Sequence, residues 1–380
     1  MTLKPSSRSS IDPFIVMDVM ARANAREAAG EGVIHMEVGQ PSTPAPRLVR
    51  EAAKRAIDGA RLGYTEALGA PDLRERIARH YADAYGVSVS PERIAVTTGS
   101  SAGFILAFLA LLDEGDTLAL ARPGYPCYRQ IASALGLKPR LLAAGPDENW
   151  SPDAAAMASS GRAALVASPA NPTGAMLDDG ALAALAADCR ASGAWLISDE
   201  IYHGLTYGRP ATTALVHDDN AVVINSFSKY HSMTGWRVGW MVAPAGLMRR
   251  IERLQQNLFI SPPAISQVAA IAAFDAGEEL EANKAVYAAN RELLLNELPR
   301  AGFDRFAPAD GAFYLYADVS RFTQDSADFC GRMLDEIGVA ATPGIDFDAE
   351  DGRRFVRFSY SGATAQMAEA ASRLRAWRKP

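Results

Sequence analysis

Lys229 stands at the end of an apolar run, and this position is the first sign of chemistry in the sequence. Residues 221–225 are predicted to form a buried strand, and the segment SFSK (226–229) follows directly. Lysine is rarely fully buried unless it is paired or chemically used. A desolvated lysine amine loses its proton more readily and forms Schiff bases with aldehydes. Two interpretations are open at this point: a reactive amine, or a strand that simply exits to solvent.

Polar side chains also follow three other predicted strands, over residues 94–98, 163–167 and 194–198. In open α/β sheets, ligands bind outside the carboxyl ends of the strands. We therefore expect the polar residues after these strands to converge with Lys229 on one rim. They are Ser100 and Ser101 after the first strand, Asn171 after the second, and Asp199 and Tyr202 after the third.

Part of this set suits the aldehyde and the ring of pyridoxal phosphate. The lysine can bind the aldehyde, and a carboxylate such as Asp199 favours the protonated form of the pyridine nitrogen. Asn171 and Tyr202 can donate hydrogen bonds to the ring oxygen. Each residue alone also has a purely structural interpretation, since NPTG (171–174) is a turn signal, Asp199 can cap a helix and Tyr202 can belong to the core.

The remaining polar residues suit a phosphate group. The helix that begins near Ser100 and Ser101 offers unpaired N–H groups and a partial positive charge, although a plain serine N-cap is the commoner meaning of such a segment. Arg237 lies eight residues after Lys229 and can reach the same phosphate together with Ser226 and Ser228.

The surrounding pattern indicates which elements position these residues. Residues 71–86 have an apolar or aromatic side chain at every fourth position, with Pro at the start and Gly at the end, which predicts a helix. Residues 101–112 are apolar nearly all round and predict a buried helix. Short apolar runs, including 117–121, alternate with helical segments. This alternation predicts an α/β fold with a mainly parallel sheet.

The pattern changes after Pro262 and Pro263. A long helix is predicted over residues 264–298, then strands near 312–319 and 355–360, and a last helix from about residue 363. We interpret this part as a smaller α+β domain. The predicted division is an N-terminal segment that joins the small domain (1–45), a large cofactor-binding domain (46–275) and the small domain (276–380).

Composition excludes several other classes of protein. The chain has 380 residues and a net charge of −6, and it shows no long basic run, so no nucleic-acid partner is expected. Its three cysteines, Cys127, Cys189 and Cys330, are too scattered for a disulfide framework or a structural zinc site, and no metal is expected. Neither a signal peptide nor a membrane span is predicted. The expected location is the cytoplasm.

Four motifs together resemble the class I pyridoxal phosphate-dependent aminotransferases. They are NPTG (171–174), DEIY (199–202), SFSK (226–229) and TGWRVGW (234–240), in the order and spacing of that family. The resemblance implies the fold of type I pyridoxal phosphate enzymes, with a mainly parallel seven-stranded sheet and a smaller α+β domain. It also implies transfer of the amino group of an L-amino acid to a 2-oxo acid, by a ping-pong mechanism through a Lys229 Schiff base.

The resemblance further implies a role for each matching residue. Lys229 would carry the cofactor and shuttle the proton. Asp199 would hold the pyridine nitrogen, Asn171 and Tyr202 would bind the ring hydroxyl, and Tyr125 would stack on the ring. The phosphate would be surrounded by Ser100, Ser101, Ser226, Ser228 and Arg237. Tyr64 would reach the phosphate of a partner subunit, which implies a homodimer with shared active sites. Arg357 would bind the substrate α-carboxylate, and Gly39 would lie in the substrate loop.

Several alternatives are open on sequence alone. Arg357 could be a surface residue of its strand, and Tyr64 could pack beside a helix. The same motifs occur in lyases, so a C–S lyase or another eliminase is the main alternative to a transaminase. SFSK also has the spacing of the Ser-x-x-Lys acyl enzymes, but the chain lacks their S-D-N and K-T-G elements. A non-enzymatic sensor usually carries a basic DNA-binding extension, which is also missing from the sequence.

The sequence leaves the amino donor and the acceptor open, with a slight preference for neutral or aromatic amino acids. Arg122 departs from the family pattern, because relatives often carry an acidic or neutral residue before PGYP. We have no functional interpretation of it. His203 and His231 adjoin the motifs, and a structural role is expected for both.

Overall fold

The computed structural model describes residues 3–378 of the chain, which form an α/β structure. The strands are β1 (Ile34–His35), β2 (Ile94–Thr97), β3 (Thr117–Arg122), β4 (Lys138–Ala143), β5 (Ala163–Ala167), β6 (Trp195–Asp199), β7 (Val222–Ser226), β8 (Gly239–Val242), β9 (Tyr314–Asp318), β10 (Val339–Ala340), β11 (Thr342–Pro343) and β12 (Phe355–Ser359). The helices are α1 (Ile15–Ala28), α2 (Arg47–Gly59), α3 (Pro71–Tyr85), α4 (Gly99–Leu111), α5 (Pro126–Ala134), α6 (Ala154–Ser159), α7 (Asp179–Ser192), α8 (Ala245–Leu258), α9 (Ala264–Ala273), α10 (Gly277–Glu297), α11 (Ser326–Ile337) and α12 (Thr364–Ala376).

Seven strands form one large sheet in the order β2-β8-β7-β6-β5-β3-β4. Strand β8 is antiparallel to both of its neighbours, and the other strands are parallel to one another. The predicted fold, a mainly parallel seven-stranded sheet, is therefore confirmed. The carboxyl ends of β2, β5, β6 and β7 meet at the same edge, as predicted, because parallel strands end on the same side of a sheet.

Apolar residues on both faces of the central strands hold the sheet in the interior. In β5, Leu165 packs into the hydrophobic cluster on one face and Val166 into the cluster on the other. In β7, Ile224 packs into the same cluster as Leu165, and Val223 into the same cluster as Val166. Strands covered on both faces need nearly continuous apolar sequence. This requirement explains why the apolar runs predicted these strands to within about a residue at each end.

Two strands of the large sheet were not predicted. The edge strand β4 has the sequence KPRLLA, and its side chains are exposed or half-buried, so it lacks the apolar run of a central strand. Strand β8 has only four residues and lies inside the TGWRVGW motif. Its pairing with β2 and β7 is a long-range contact that periodicity cannot reveal.

The helix predictions are confirmed for α3 and α4 and corrected for residues 264–298. Helix α3 begins with Pro71 and ends at Gly86, whose φ of 68° is the left-handed C-cap that glycine favours. The segment predicted as one long helix is two helices, α9 and α10, with a break after Ala273. At the break, the ring of Phe274 packs against the ring of Phe227, and the two ring centres lie 5.2 Å apart. This contact holds α9 on the large sheet, whereas α10 packs against α12.

The smaller part of the molecule contains a three-stranded antiparallel sheet, β11-β12-β9, and a parallel pair, β1 and β10. The pairing of β1 with β10 and an ion pair between Arg22 of α1 and Asp335 of α11 join the N-terminal segment to this part. These contacts agree with the expected grouping, and the boundaries at residues 45 and 275 stay predictions. None of the helices within residues 3–378 is long and apolar enough to cross a membrane.

Candidate active site

The amine of Lys229 lies at the sheet edge just after β7. Its Nζ donates a hydrogen bond to the carbonyl oxygen of Gly39 at 2.5 Å, and it lies 5.8 Å from the centre of the Tyr202 ring. Burial, followed by the positive charges of Arg357 and Arg237, lowers the pKa of Lys229 to about 8, against an opposing effect of Asp199. A lysine with this pKa has a much larger neutral fraction near pH 7 than an exposed lysine.

Asp199 is a buried carboxylate at the end of β6. Its Oδ2 accepts a hydrogen bond from the hydroxyl of Tyr128, and its Oδ1 accepts one from the backbone N–H of Ile201 at 3.0 Å. Burial raises the pKa of Asp199 to about 6, although these two hydrogen bonds and the charge of Lys229 act in the opposite direction. Such a carboxylate is costly to bury unless it receives a cationic partner.

Arg357 of β12 is almost fully buried, with 2% of its surface exposed. Its Nη1 donates to Oδ1 of Asn171 at 2.9 Å, and its Nη2 donates to the carbonyl oxygen of Glu37. The rings of Tyr314 and Phe347 lie 4.4 and 4.7 Å from its guanidinium carbon. Its Nε has no hydrogen-bond partner among the described residues. The guanidinium is thus held rigidly and retains donor capacity for an anion.

Two tyrosines lie beside Lys229 and Arg357: Tyr314 comes from β9 of the small sheet, and Tyr202 from the segment after β6. The hydroxyls of Tyr202 and Tyr314 form a hydrogen bond of 2.7 Å. A Cβ atom on Gly39 would collide with the hydroxyl of Tyr314. Glycine at this position therefore lets the loop lie against Tyr314 while its carbonyl accepts the Lys229 amine.

The N-terminus of α4 forms one end of the site, next to Arg237. Gly99 has a φ of 73°, and a Cβ atom there would collide with the guanidinium of Arg237. Arg237 also has a left-handed backbone, with a φ of 51°, and its Nη1 donates to the carbonyl oxygen of Thr234 at 3.0 Å. Ser100 and Ser101 follow Gly99 in the first turn, whose free N–H groups together with a cation suit a phosphate.

These residues surround a cavity of about 440 Å³. Of the predicted site residues, the cavity is lined by Gly39, Ser100, Ser101, Tyr125, Asn171, Asp199, Tyr202, Ser228, Lys229, Arg237 and Arg357. Apolar side chains also line it. Four of them, Phe14, Val16, Met17 and Met20, come from α1 and the residue before it, and three lie elsewhere, namely Val38, Phe104 and Ile201. The cavity thus combines one apolar wall with the groups that suit an aldehyde, a pyridine ring, a phosphate and a carboxylate.

Residues 31–374 match the family described as aminotransferase class I and II. The chain belongs to this family. It is 49% identical to a valine–pyruvate aminotransferase of Mycobacterium tuberculosis, over 99% of each chain. It superposes on the crystal structure of an aminotransferase from Mycobacterium tuberculosis with a TM-score of 0.97, at 48% identity and 99% coverage of both chains. For a crystal structure described as a putative aminotransferase from Silicibacter pomeroyi, the TM-score is 0.93 at 54% identity, over 98% of this chain and 99% of that one.

The protein is therefore an aminotransferase that depends on pyridoxal phosphate and transfers the amino group of an amino acid to a 2-oxo acid. The comparisons do not favour the lyase alternative. The chain's own residues fit the cofactor: Asp199 is buried and forms no ion pair with any cation in residues 3–378, Lys229 has a depressed pKa, and glycine leaves room beside Arg237 at the α4 N-terminus. When bound, pyridoxal phosphate supplies an electron sink for negative charge at the substrate Cα.

Two residues that contact the predicted site residues of this aminotransferase were not predicted from its sequence. Tyr128 donates to Asp199, and Tyr314 contacts both Tyr202 and Arg357. Tyr128 follows Tyr125 by three residues at the start of α5, and this helical spacing was the one available signal. Tyr314 lies in β9 outside every motif, and only the pairing of β9 with β12 brings it to the site.

Two predicted site residues do not line the cavity. The hydroxyl oxygen of Ser226 lies 3.1 Å from the carbonyl oxygen of Val238 and 2.9 Å from Oγ of Ser228, so it lies behind Ser228. Tyr64 is 85% exposed. Their direct roles in binding the cofactor stay predictions.

The structure also gives contacts for the three residues that lacked a functional interpretation. Arg122 forms ion pairs with Asp348, Glu350 and Asp351, and so ties the end of β3 to the loop before β12. The Nε2 of His203 lies 3.0 Å from the carbonyl oxygen of Ser168, and its Nδ1 lies 2.8 Å from the hydroxyl of Tyr85. The ring of His231 packs against the ring of Phe227, with 5.0 Å between the ring centres. None of the three lines the cavity within residues 3–378.

Proposed function

We propose that this aminotransferase exchanges the amino group between a neutral aliphatic amino acid, valine or alanine, and a 2-oxo acid, with pyruvate as one partner. The observation that carries the proposal is the charge of the cavity wall. Among the described residues that line the cavity, the cations are Lys229, Arg237 and Arg357. Each has a role with the cofactor or the α-carboxylate, so none is left for an acidic side chain. The similarity to a valine–pyruvate aminotransferase supports the same substrate class.

In this proposal, Arg357 binds the substrate α-carboxylate through the donor capacity that its guanidinium retains, including its Nε, and Asn171 holds the guanidinium in place. Lys229 would hold the cofactor covalently through its Nζ. When the substrate takes its place, the freed Nζ would be positioned to remove the proton from the substrate Cα and to return it to the product. Asp199, oriented by Tyr128 and by the N–H of Ile201, keeps the pyridine nitrogen protonated.

The phosphate is proposed to bind at the N-terminus of α4, between Ser100, Ser101, Ser228 and Arg237, with Ser226 supporting Ser228 from behind. Tyr125 is proposed to stack on the cofactor ring, and Tyr202 to donate to its hydroxyl. A homodimer would supply Tyr64 of the second subunit to the phosphate.

We also propose that the protein works in the cytoplasm, where its three unpaired cysteines would stay reduced. Cell fractionation checks the location, and recovery outside the cytoplasm contradicts it.

The test is a visible absorption spectrum of the purified protein loaded with pyridoxal phosphate, recorded after adding single amino acids without any oxo acid. L-Valine and L-alanine should remove the absorption of the lysine-bound cofactor, and pyruvate should restore it. L-Aspartate should react at least about tenfold more weakly, because a charged side chain would lie against the apolar wall. A preference for aspartate would overturn the substrate class. With L-cystathionine, whose Cβ carries a sulfur leaving group, release of ammonia and a thiol with unchanged cofactor absorption would instead indicate elimination.

A further inference from the structure

The first turn of α1, which forms part of the apolar cavity wall, receives its hydrogen bonds from a distant carboxylate. The two oxygens of Asp346 accept the backbone N–H groups of Ile15 and Val16, each at 3.1 Å. The helix itself supplies no side-chain cap at its N-cap residue, Phe14. A negative charge at this position satisfies two N–H groups that have no partner within the helix and interacts favourably with the helix dipole.

Asp346 is itself held firmly. It has no exposed surface, and its carbonyl oxygen accepts a hydrogen bond from Nη2 of Arg129 at 2.7 Å. The turn that carries it begins at Gly344, where a Cβ atom would lie 2.6 Å from the carbonyl oxygen of Phe355. Close packing against the small sheet therefore leaves the Asp346 carboxylate little freedom, and the start of α1 must follow it.

The same segment also holds the arginine that is proposed to bind the substrate carboxylate. Thr342, four residues before Asp346, pairs with Arg357 in the sheet and accepts a hydrogen bond from its Nη2 at 3.2 Å. Phe347, the next residue after Asp346, lies 4.7 Å from the guanidinium carbon of Arg357. One short segment thus contacts Arg357 on one side and the start of α1 on the other.

The residues of α1 at this point face the cavity. Val16 is buried, and it lines the cavity with Met17 and Met20. The ring of Phe14 lies 5.7 Å from the ring of Tyr125. In the proposed binding mode, the substrate side chain lies against this wall and its carboxylate lies on Arg357. The distance between the wall and Arg357 therefore determines which side chains fit.

We propose that Asp346 is a positioning residue that sets the apolar wall of α1 at a fixed distance from Arg357, and that it thereby determines how tightly an aliphatic side chain binds. The proposal rests on the proposed neutral aliphatic substrate class. An asparagine would replace one accepting oxygen with an NH₂ group that faces a backbone N–H. The wall would then lose its fixed position, whereas the groups that hold the cofactor and move the proton would stay in place.

The test compares Asp346→Asn with Asp348→Asn, both loaded with pyridoxal phosphate. Asp348 is a matched control, because it is a buried carboxylate two residues further on that binds Arg122 and not α1. In Asp346→Asn, the KM for L-valine should rise about tenfold and that for L-alanine less than about threefold, since the larger side chain depends more on the wall. Its kcat and its visible cofactor absorption should be nearly unchanged. Asp348→Asn should leave the ratio of the two KM values as in the wild type.

Equal changes for the two amino acids, or the same selectivity change in both variants, would overturn the role of Asp346. If Asp346→Asn does not fold, Asp346→Glu decides by the same criterion, because it keeps the charge but moves the accepting oxygens. A second measurement is independent of the substrate: amide hydrogen exchange at Ile15 and Val16 should accelerate in Asp346→Asn and not in Asp348→Asn. If the wild type converts neither amino acid, the substrate proposal fails, and the exchange data alone confirm or overturn the capping role.

Discussion

The amine of Lys229 should capture pyridoxal phosphate most readily at pH 8 and above. Its pKa is lowered from about 10.5 to about 8, mainly by burial. Only the neutral amine attacks the aldehyde, so the capture rate of the cofactor-free protein should fall about tenfold for each pH unit below 8 and level off above it. Stopped-flow measurement of the visible absorption gives this profile.

An exposed lysine would instead show a rate that keeps rising between pH 8 and pH 10, and that result would contradict the depressed pKa. Lys229→Ala is the control: it should give no covalent capture at any pH, while the phosphate end of the site still binds the cofactor weakly. Normal turnover in this variant would remove Lys229 from the mechanism.

Arg357 is the residue whose loss should weaken substrate binding most. Removing one partner of a buried charged contact costs about 2–5 kcal/mol, so Arg357→Ala should lower kcat/KM for L-valine by about 30-fold or more. Arg353→Ala is a matched control, because Arg353 is a nearby arginine that is exposed in the structure. Steady-state kinetics distinguishes them, and equal effects of the two substitutions would show that the sequence register assigned the carboxylate to the wrong arginine.

At the level of elements, the start of α4 must be glycine for two separate reasons. Gly99 has a positive φ, and a side chain there would meet Arg237. Gly86, at the end of α3, also has a positive φ, but nothing lies within 4 Å of a Cβ atom there. Gly99→Ala and Gly86→Ala should therefore both lower the free energy of unfolding by about 1 kcal/mol through backbone strain.

Only Gly99→Ala should also weaken the binding of pyridoxal phosphate, because it displaces the guanidinium of Arg237 from the phosphate end. We expect the dissociation constant to rise about tenfold or more, against little change in Gly86→Ala. Spectroscopic titration of the cofactor-free proteins measures it. Equal affinities in the two variants would contradict the assignment of this helix terminus to the phosphate.

How far the sequence predicted these elements depends on whether the signal was local. The central strands were predicted because each is an apolar run, and Asn171, Asp199 and Lys229 were found because they follow such runs. The break between α9 and α10 was missed because the ring of Phe274 packs against Phe227, which is distant in sequence. Tyr314 and Asp346 were missed for the same reason: strand pairing or a contact with α1 brings each to the site.

At the scale of the whole molecule, two of the exposed apolar side chains lie on or beside a pair of helices that pack against each other. Ile57 of α2 is 65% exposed, and Ile260, just before α9, is 54% exposed, while α2 and α9 pack against each other. Exposed apolar groups on adjoining elements are typical of a surface that meets another subunit. Tyr64 lies just after α2 and is 85% exposed, which supports the proposal that it serves the active site of a second subunit.

Complementation between inactive variants tests this arrangement. In a mixed dimer of Lys229→Ala and Tyr64→Ala chains, one site would combine an intact Lys229 with the intact Tyr64 of the other subunit. Random mixing of equal amounts should thus restore about a quarter of the wild-type sites, which is the share that a two-fold dimer allows. Pyridoxal phosphate is kept at a limiting concentration, so that the loss of the Tyr64 hydroxyl is visible as weak cofactor binding. If each chain used its own Tyr64, every mixed site would carry one of the two substitutions, and the mixture would be no more active than the average of its parents.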